Sequence, residues 1–423
     1  MRRLRAIAVC YGLLLAACVP YNLQTNTRDF RQALLAGQTA SALEYLELQR
    51  KSHLDRALYE LNKGMVLHMT GDFAFSNKML EQAKQRMRTL EAASVSETAT
   101  ALTVNDATRS YAGRPYELLS LYAYKTLNYM LLGQPDEARV EVLQADVRLR
   151  EWESAGEARA FEASAFMQYL SGVVFETLRE WDDALIAYRK AYEVYVKTGN
   201  AVPLQLQKDL LRLCAFRGSK DELAKYIKEF KGVDWESMKS LKSKAELIVF
   251  AHYGTVSVME EEVSYNYSPE LKYQVQIALP FYPPRSDNTP SAVIQVDGTP
   301  HPAEILQDID MLARKDLQSR MDGLALTAVA RMVLKKKMSQ EMRKNDPLAG
   351  AFADIAGLMT ERADTRSWIT LPGTVHILRL PLAAGEHGIV AAGLPARTLM
   401  LKVGDMAVVS VHELMGRNIY AVH

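Results

Sequence analysis

The chain has 423 residues, with 51 basic against 50 acidic side chains, a formal charge of +1, and three cysteines. Near-neutrality excludes a dedicated nucleic-acid binder, which would carry a strong basic excess. Three cysteines exclude a disulfide-stapled scaffold, and the length suits two or three domains.

Residues 1–17 read as a signal peptide. Arg2, Arg3 and Arg5 supply a positive end, and an apolar run follows from Ala6 to Ala17. That run is too short for a membrane span of ~20 helical residues but suits a signal core. It ends in Leu15-Ala16-Ala17-Cys18, which resembles the lipobox of bacterial lipoproteins. The resemblance implies cleavage before Cys18 and acylation of its thiol and new amine. Several acyl chains anchor firmly, since each buried methylene contributes ~0.8 kcal/mol. Val19, in place of the aspartate that favours inner-membrane retention, points to the outer membrane, with the body facing the periplasm. Residues 18–27 are expected to form a short lipidated tether. Without the three leader arginines the basic residues fall two short of the acidic ones. Cys10 leaves with the leader and Cys18 is modified. Cys214, in the apolar run LLRLCAF, is then left without a disulfide partner and reads as a small core residue. No later run approaches 18 continuous apolar residues, so no second anchor is expected.

Residues 28–240 show helical spacing and a recurring hairpin signal. A turn residue is followed by a small residue after five positions, a large one after four more and another small one after three. Gly71, Ser76, Leu80 and Ala83 form one copy; Gly133, Ala138, Val142 and Ala145 another; Arg179, Ala184, Tyr188 and Ala191 a third. Gly37, Ala42 and Leu46 begin an earlier copy, 34 residues before Gly71. These positions resemble the tetratricopeptide repeat (TPR), in which small residues let two helices approach and aromatics fill the groove between hairpins. The resemblance implies a TPR-like α-solenoid, with the Ser/Thr/Ala-rich stretch 92–113 as an inserted surface loop. Its first helices would line a partner groove, and Tyr124, Asn128 and Gln168 are the expected exposed partner-binding residues.

Residues 241–423 change character, and a smaller mixed α+β domain with an antiparallel sheet is expected. AELIVFAHYG, TVSVMEEEVSY, LKYQVQIALPFY and SAVIQVDG read as strands from their β-branched and aromatic content. A long amphipathic helix is expected over 303–343, with a basic end at Lys335-Lys336-Lys337 that complements its dipole. Asp346-Pro347 opens a second helix, 348–363, whose small residues at 349, 353 and 357 suit core packing; a homo-oligomer contact there stays open. RSWITL, TVHILRLPL, HGIVAAGL, RTLMLKV and MAVVSVHEL return to strand. Arg366 and Trp368 are expected to anchor that helix to the sheet.

The runs 116–141 and 363–387 resemble a family of uncharacterised bacterial envelope lipoproteins that pairs a TPR-like half with a C-terminal α+β half. The resemblance implies a location and an architecture and carries no catalytic residues. The chain lacks Gly-x-Ser-x-Gly and both glycine-rich phosphate motifs. His412-Glu413 lacks the second histidine four residues on that a zincin helix needs, and no two histidines stand at ligand-motif spacing. The expectation is therefore a non-enzymatic scaffold with no catalytic residue, cofactor or metal. It would be held to the membrane through Cys18, bind an envelope protein, and serve assembly or regulation of an envelope, secretion or surface-polymer machine. The alternative is an enzyme or binding module acting on peptidoglycan or polysaccharide through the C-terminal half.

Overall fold

The computed structural model describes residues 19–50, 52–96, 109–156, 158–268, 273–285, 292–348, 362–391, 396–414 and 417–422. The leader, Cys18 and most of the expected helix 348–363 lie outside them; Arg362 and Ala363, at its expected end, are not helical. The fold is α+β, and no helix among the described residues is long and apolar enough to cross a membrane.

The helical part runs α1 Val19–Leu35, α2 Thr39–Gln49, α3 Arg56–Met69, α4 Phe73–Ser96, α5 Pro115–Leu131, α6 Pro135–Ser154, α7 Ala158–Glu162, α8 Ala165–Thr177, α9 Trp181–Thr198, α10 Leu204–Arg217, α11 Lys220–Glu229 and α12 Met238–Leu241. α1 starts at Val19, so the stretch expected as a tether is helical over most of its length. α4 likewise runs to Ser96, into the expected surface loop.

The hairpin spacing is seen as read. Gly37, Gly71, Gly133 and Arg179 all adopt left-handed φ, from 62 to 86°. They turn α1 into α2, α3 into α4, α5 into α6 and α8 into α9. The small residues sit where helices touch: Ala42, Ser76, Ala138 and Ala184 are fully buried. At the close crossing of α8 and α9, a Cβ on Gly172 would lie 2.3 Å from the Tyr188 ring. Ala138→Trp is expected to overpack α6 against its neighbours and to cost at least ~1–3 kcal/mol. A chemical-denaturation midpoint unchanged from wild type would refute the register.

The second part begins at 245: β1 Ala245–Tyr253, β2 Glu260–Ser268, β3 Tyr273–Phe281, β4 Ala292–Val296, β5 Thr299–Asp308, α13 Ile309–Asn345, β6 Thr374–Leu382, β7 Gly385–Ala391, β8 Arg397–Leu401, β9 Met406–Leu414 and β10 Arg417–Val422. The long helix starts six residues later than its periodicity suggests. Residues 299–308 pair with β4 and β6 instead, and Asp308 caps the helix by accepting from the Met311 N–H at 2.9 Å. RSWITL is a buried irregular segment, with no strand pairing.

β2 and β3 form a separate ribbon, and the other strands form one sheet in the order β10-β9-β1-β6-β5-β4-β7-β8. β1 is antiparallel to β6 and parallel to β9. It is buried at all nine positions, which explains its unbroken apolar sequence. One sheet face, with Ile248, Phe250, Val375, Ile377 and Val408, shares a single core with the helices. The opposite face curls on itself, so Leu247, Val249 and Val411 meet Ile294, Val296 and Ile389 in a second core. The composition shift near 241 is thus a change of secondary structure across a continuous core.

Candidate functional site

Two polar centres lie buried between the helices and the sheet. The first is charged. Arg379 on β6 donates to both oxygens of Glu246 on β1, at 2.9 and 2.9 Å, and to both of Glu176 on α8, at 3.1 and 2.7 Å. Arg212 on α10 donates to Glu176 at 2.7 Å and approaches Asp209 at 3.0 Å. The Tyr169 hydroxyl donates to Asp209 at 2.7 Å. Burial works against the Glu176 carboxylate, but the two guanidiniums outweigh it and hold its pKa down to about 2; burial pushes that of Asp209 up.

The second centre is neutral. His68 stands in the last turn of α3, and His252 and His412 are register partners on the parallel strands β1 and β9. Period-two alternation places Ser410 on the same sheet face as His412. All three imidazoles are at most 1 % exposed. The His252 and His412 rings stack at 4.2 Å, and His68 meets His412 edge-on at 5.0 Å. Each histidine turns Nε2 toward Ser410 Oγ, at 3.2 Å from His68, 3.1 Å from His252 and 3.4 Å from His412. Nδ1 of His68 faces Asn128 Oδ1 at 2.5 Å, and Nδ1 of His252 faces the Tyr124 hydroxyl at 3.0 Å. The Asn128 amide is oriented in turn, because its nitrogen donates to Ser76 Oγ and Asn77 Oδ1, both at 2.9 Å. Burial lowers the pKa of His68 to about 4 against the bond to Asn128. It lowers those of His252 and His412 well below 6.5, aided by the other imidazoles. At neutral pH the three rings are uncharged.

These positions correct the expected partner surface. Tyr124 and Asn128 are fully buried and Gln168 is 8 % exposed. The reason is the sheet: α5 packs against α3, α4, α6, α8, α13 and β9, so the face expected to be an open groove is filled by the chain's own second half. Tyr124 and Asn128 orient the histidines instead. Arg366 and Trp368 also join the two halves. Arg366 reaches Asp55 at 3.0 Å, and the fully buried Trp368 donates its backbone N–H to Glu117 at 2.7 Å. Cys214 is buried, and its thiol pKa is pushed up to about 11 by burial.

The histidine centre escaped sequence reading because its members share no local spacing. The available signal was each histidine's setting in an apolar run: Val66-Leu67-His68-Met69, Phe250-Ala251-His252-Tyr253 and Val411-His412.

The open surface lies on the outer helices. Val140, Leu143 and Val147 follow helical spacing on α6 and are 46, 43 and 49 % exposed. With Arg88, Tyr122 and Arg148 they line a groove of about 270 Å³. A neighbouring hollow of about 580 Å³ between α4, α5 and α6 holds Lys84, Lys125, Glu81 and Glu141. There Lys125 pairs with Glu141 at 2.5 Å and also with Glu81. No protein-family model matches the chain, and no curated protein matches it in sequence.

Proposed function

We propose that the protein is a lipid-anchored, periplasm-facing scaffold of the outer membrane. In this reading TPR-like hairpins bind an apolar segment of an envelope protein on their outer face. The lipobox resemblance at Leu15 to Cys18 supports the anchoring. The observation that carries the binding role is the exposed Val140, Leu143 and Val147 stripe beside a groove, because an apolar row at helical spacing fits one face of a partner helix or strand. The inner faces of the hairpins are spent on the sheet, which leaves the α4–α6 surface for a partner.

Leu143→Asp with Val147→Asp is expected to abolish crosslinking to the partner in intact cells, at unchanged thermal stability. Crosslinking retained in that variant would refute the assignment. Cys18→Ser is expected to block acylation. Metabolic labelling with a fatty-acid analogue should mark the wild type alone, and equal labelling of both would remove the anchor.

A further inference from the structure

We propose that His68, His252 and His412 are the protein ligands of a buried site for a first-row divalent transition metal, zinc foremost, and that the bound ion fastens the helical half to the sheet. One ligand atom from each histidine lies within 4.8 Å of the others. The spacing around Ser410 carries the argument further. A tetrahedral zinc site with bonds of 2.0–2.1 Å has ligand-to-ligand edges of about 3.3 Å. Ser410 Oγ stands 3.1–3.4 Å from the three Nε2 atoms, the edge length at which it would serve as the fourth corner of such a tetrahedron. Because the His252 and His412 rings stack at 15°, loading draws the nitrogens inward and turns one of these two rings so that both lone pairs meet the ion.

The surroundings are those a histidine ligand requires. A ligating imidazole gives its remaining ring N–H to a fixed acceptor, which sets the tautomer and aims the lone pair. Asn128 Oδ1 does this for His68, because the Asn128 nitrogen is committed as a donor to Ser76 and Asn77. The Tyr124 hydroxyl is placed to do it for His252. An all-imidazole set with one oxygen suits zinc, copper or nickel and excludes calcium and magnesium, which take oxygen ligands. Without an ion, one serine hydroxyl must serve three ring nitrogens, donating to His68 and accepting from the other two. On loading, the Nε2 protons of His252 and His412 move to Nδ1, and no net proton is released. Ligands from α3, β1 and β9 make the ion a crosslink between elements far apart in the chain.

The test uses the detergent-solubilised full chain, stripped with a chelator and titrated with zinc and, separately, with cobalt(II). One equivalent of zinc is expected to bind with sub-micromolar Kd. Cobalt should show tetrahedral ligand-field bands without the sulfur charge-transfer band of a thiolate site. His252→Gln and His412→Gln should each weaken binding at least ~100-fold, and Tyr124→Phe by ~10–100-fold. Absence of the cobalt bands overturns the proposal, as does zinc binding unchanged in the histidine variants. If those variants fail to fold, the wild type decides by nuclear magnetic resonance of the cobalt form. Hyperfine-shifted ring signals from three histidines support the site, and signals from fewer overturn it.

Discussion

Arg379→Met is expected to destabilise the protein by about 3–5 kcal/mol, the usual consequence of removing one partner from a buried ion network. Arg379 faces Glu176, Glu246 and Asp209, and its side chain is 1 % exposed. Without it, three carboxylates share the single Arg212 guanidinium in a largely buried core. Arg379→Lys should rescue only part of the loss, because an ammonium cannot make the paired contacts that a planar guanidinium makes with two carboxylates at once. The measurement is urea unfolding of the three proteins at one pH. A change below about 1 kcal/mol for the methionine variant would show that the network adds nothing net. The same residues state the positional expectation: α8, α10, β1 and β6 all contribute, so loss of Arg379 should loosen the helices and the sheet together and keep unfolding a single transition.

Acid should weaken the metal-free protein well before its carboxylates titrate in bulk. The sign follows from burial. A histidine whose folded pKa lies below 6.5 stays neutral while the unfolded chain takes up a proton, so its stabilising effect is complete above pH 6.5. It is lost as the pH falls toward the folded pKa. For His68, lowered to about 4, the loss amounts to about 3 kcal/mol between pH 6.5 and 4. His252 and His412 shift the same way and add to it. The groups hydrogen-bonded to the three rings are Tyr124, Asn128 and Ser410, and none is a carboxylate that would offset the trend. Denaturant unfolding in chelator at pH 7.5 and pH 5 tests this. Equal stability at the two values would mean that the cluster is open to water or already protonated. Replacing His412 with phenylalanine should flatten the dependence in proportion to its share.

The hairpins were legible because their constraint is local. A left-handed turn favours glycine, and a close helix crossing demands a small residue a fixed distance later, so Gly71, Gly133, Ala138 and Ala184 announce themselves in any window of a dozen residues. Arg179 shows the limit: it takes the left-handed conformation at φ 62° without being glycine, and only the pattern around it marks the turn. Most strands were legible from β-branched runs, but β10, Arg417–Val422, was not read at all, and two other stretches were misread. Residues 299–308 carry Pro300 and Pro302 and sit at the foot of a helical pattern, so pairing with β4 and β6 outweighed periodicity. RSWITL has strand composition, but Trp368 and Thr370 are held by Glu117 and Asn62 from the helical half. The partner surface misled for a related reason. Spacing tells which residues share a helix face, but the sheet that covers that face lies more than a hundred residues downstream. The histidine centre is the extreme case, because its geometry exists only after α3, β1 and β9 have met.

β9, Met406–Leu414, lies in the interior of the sheet, and its neighbour β1 begins far upstream at Ala245. A nascent chain that stops before Met406 can build its helical hairpins from local contacts. It would then hold β1 with one flank open, a nine-residue apolar strand with unpaired N–H and C=O groups. Such an edge recruits other strands or proteases. Pairing at this sequence separation is also slow, since the intervening loop must close before any contact rewards it. Arrival of β9 therefore closes the sheet over β1: until residues 406–414 have paired with it, that flank and the core behind it stay open.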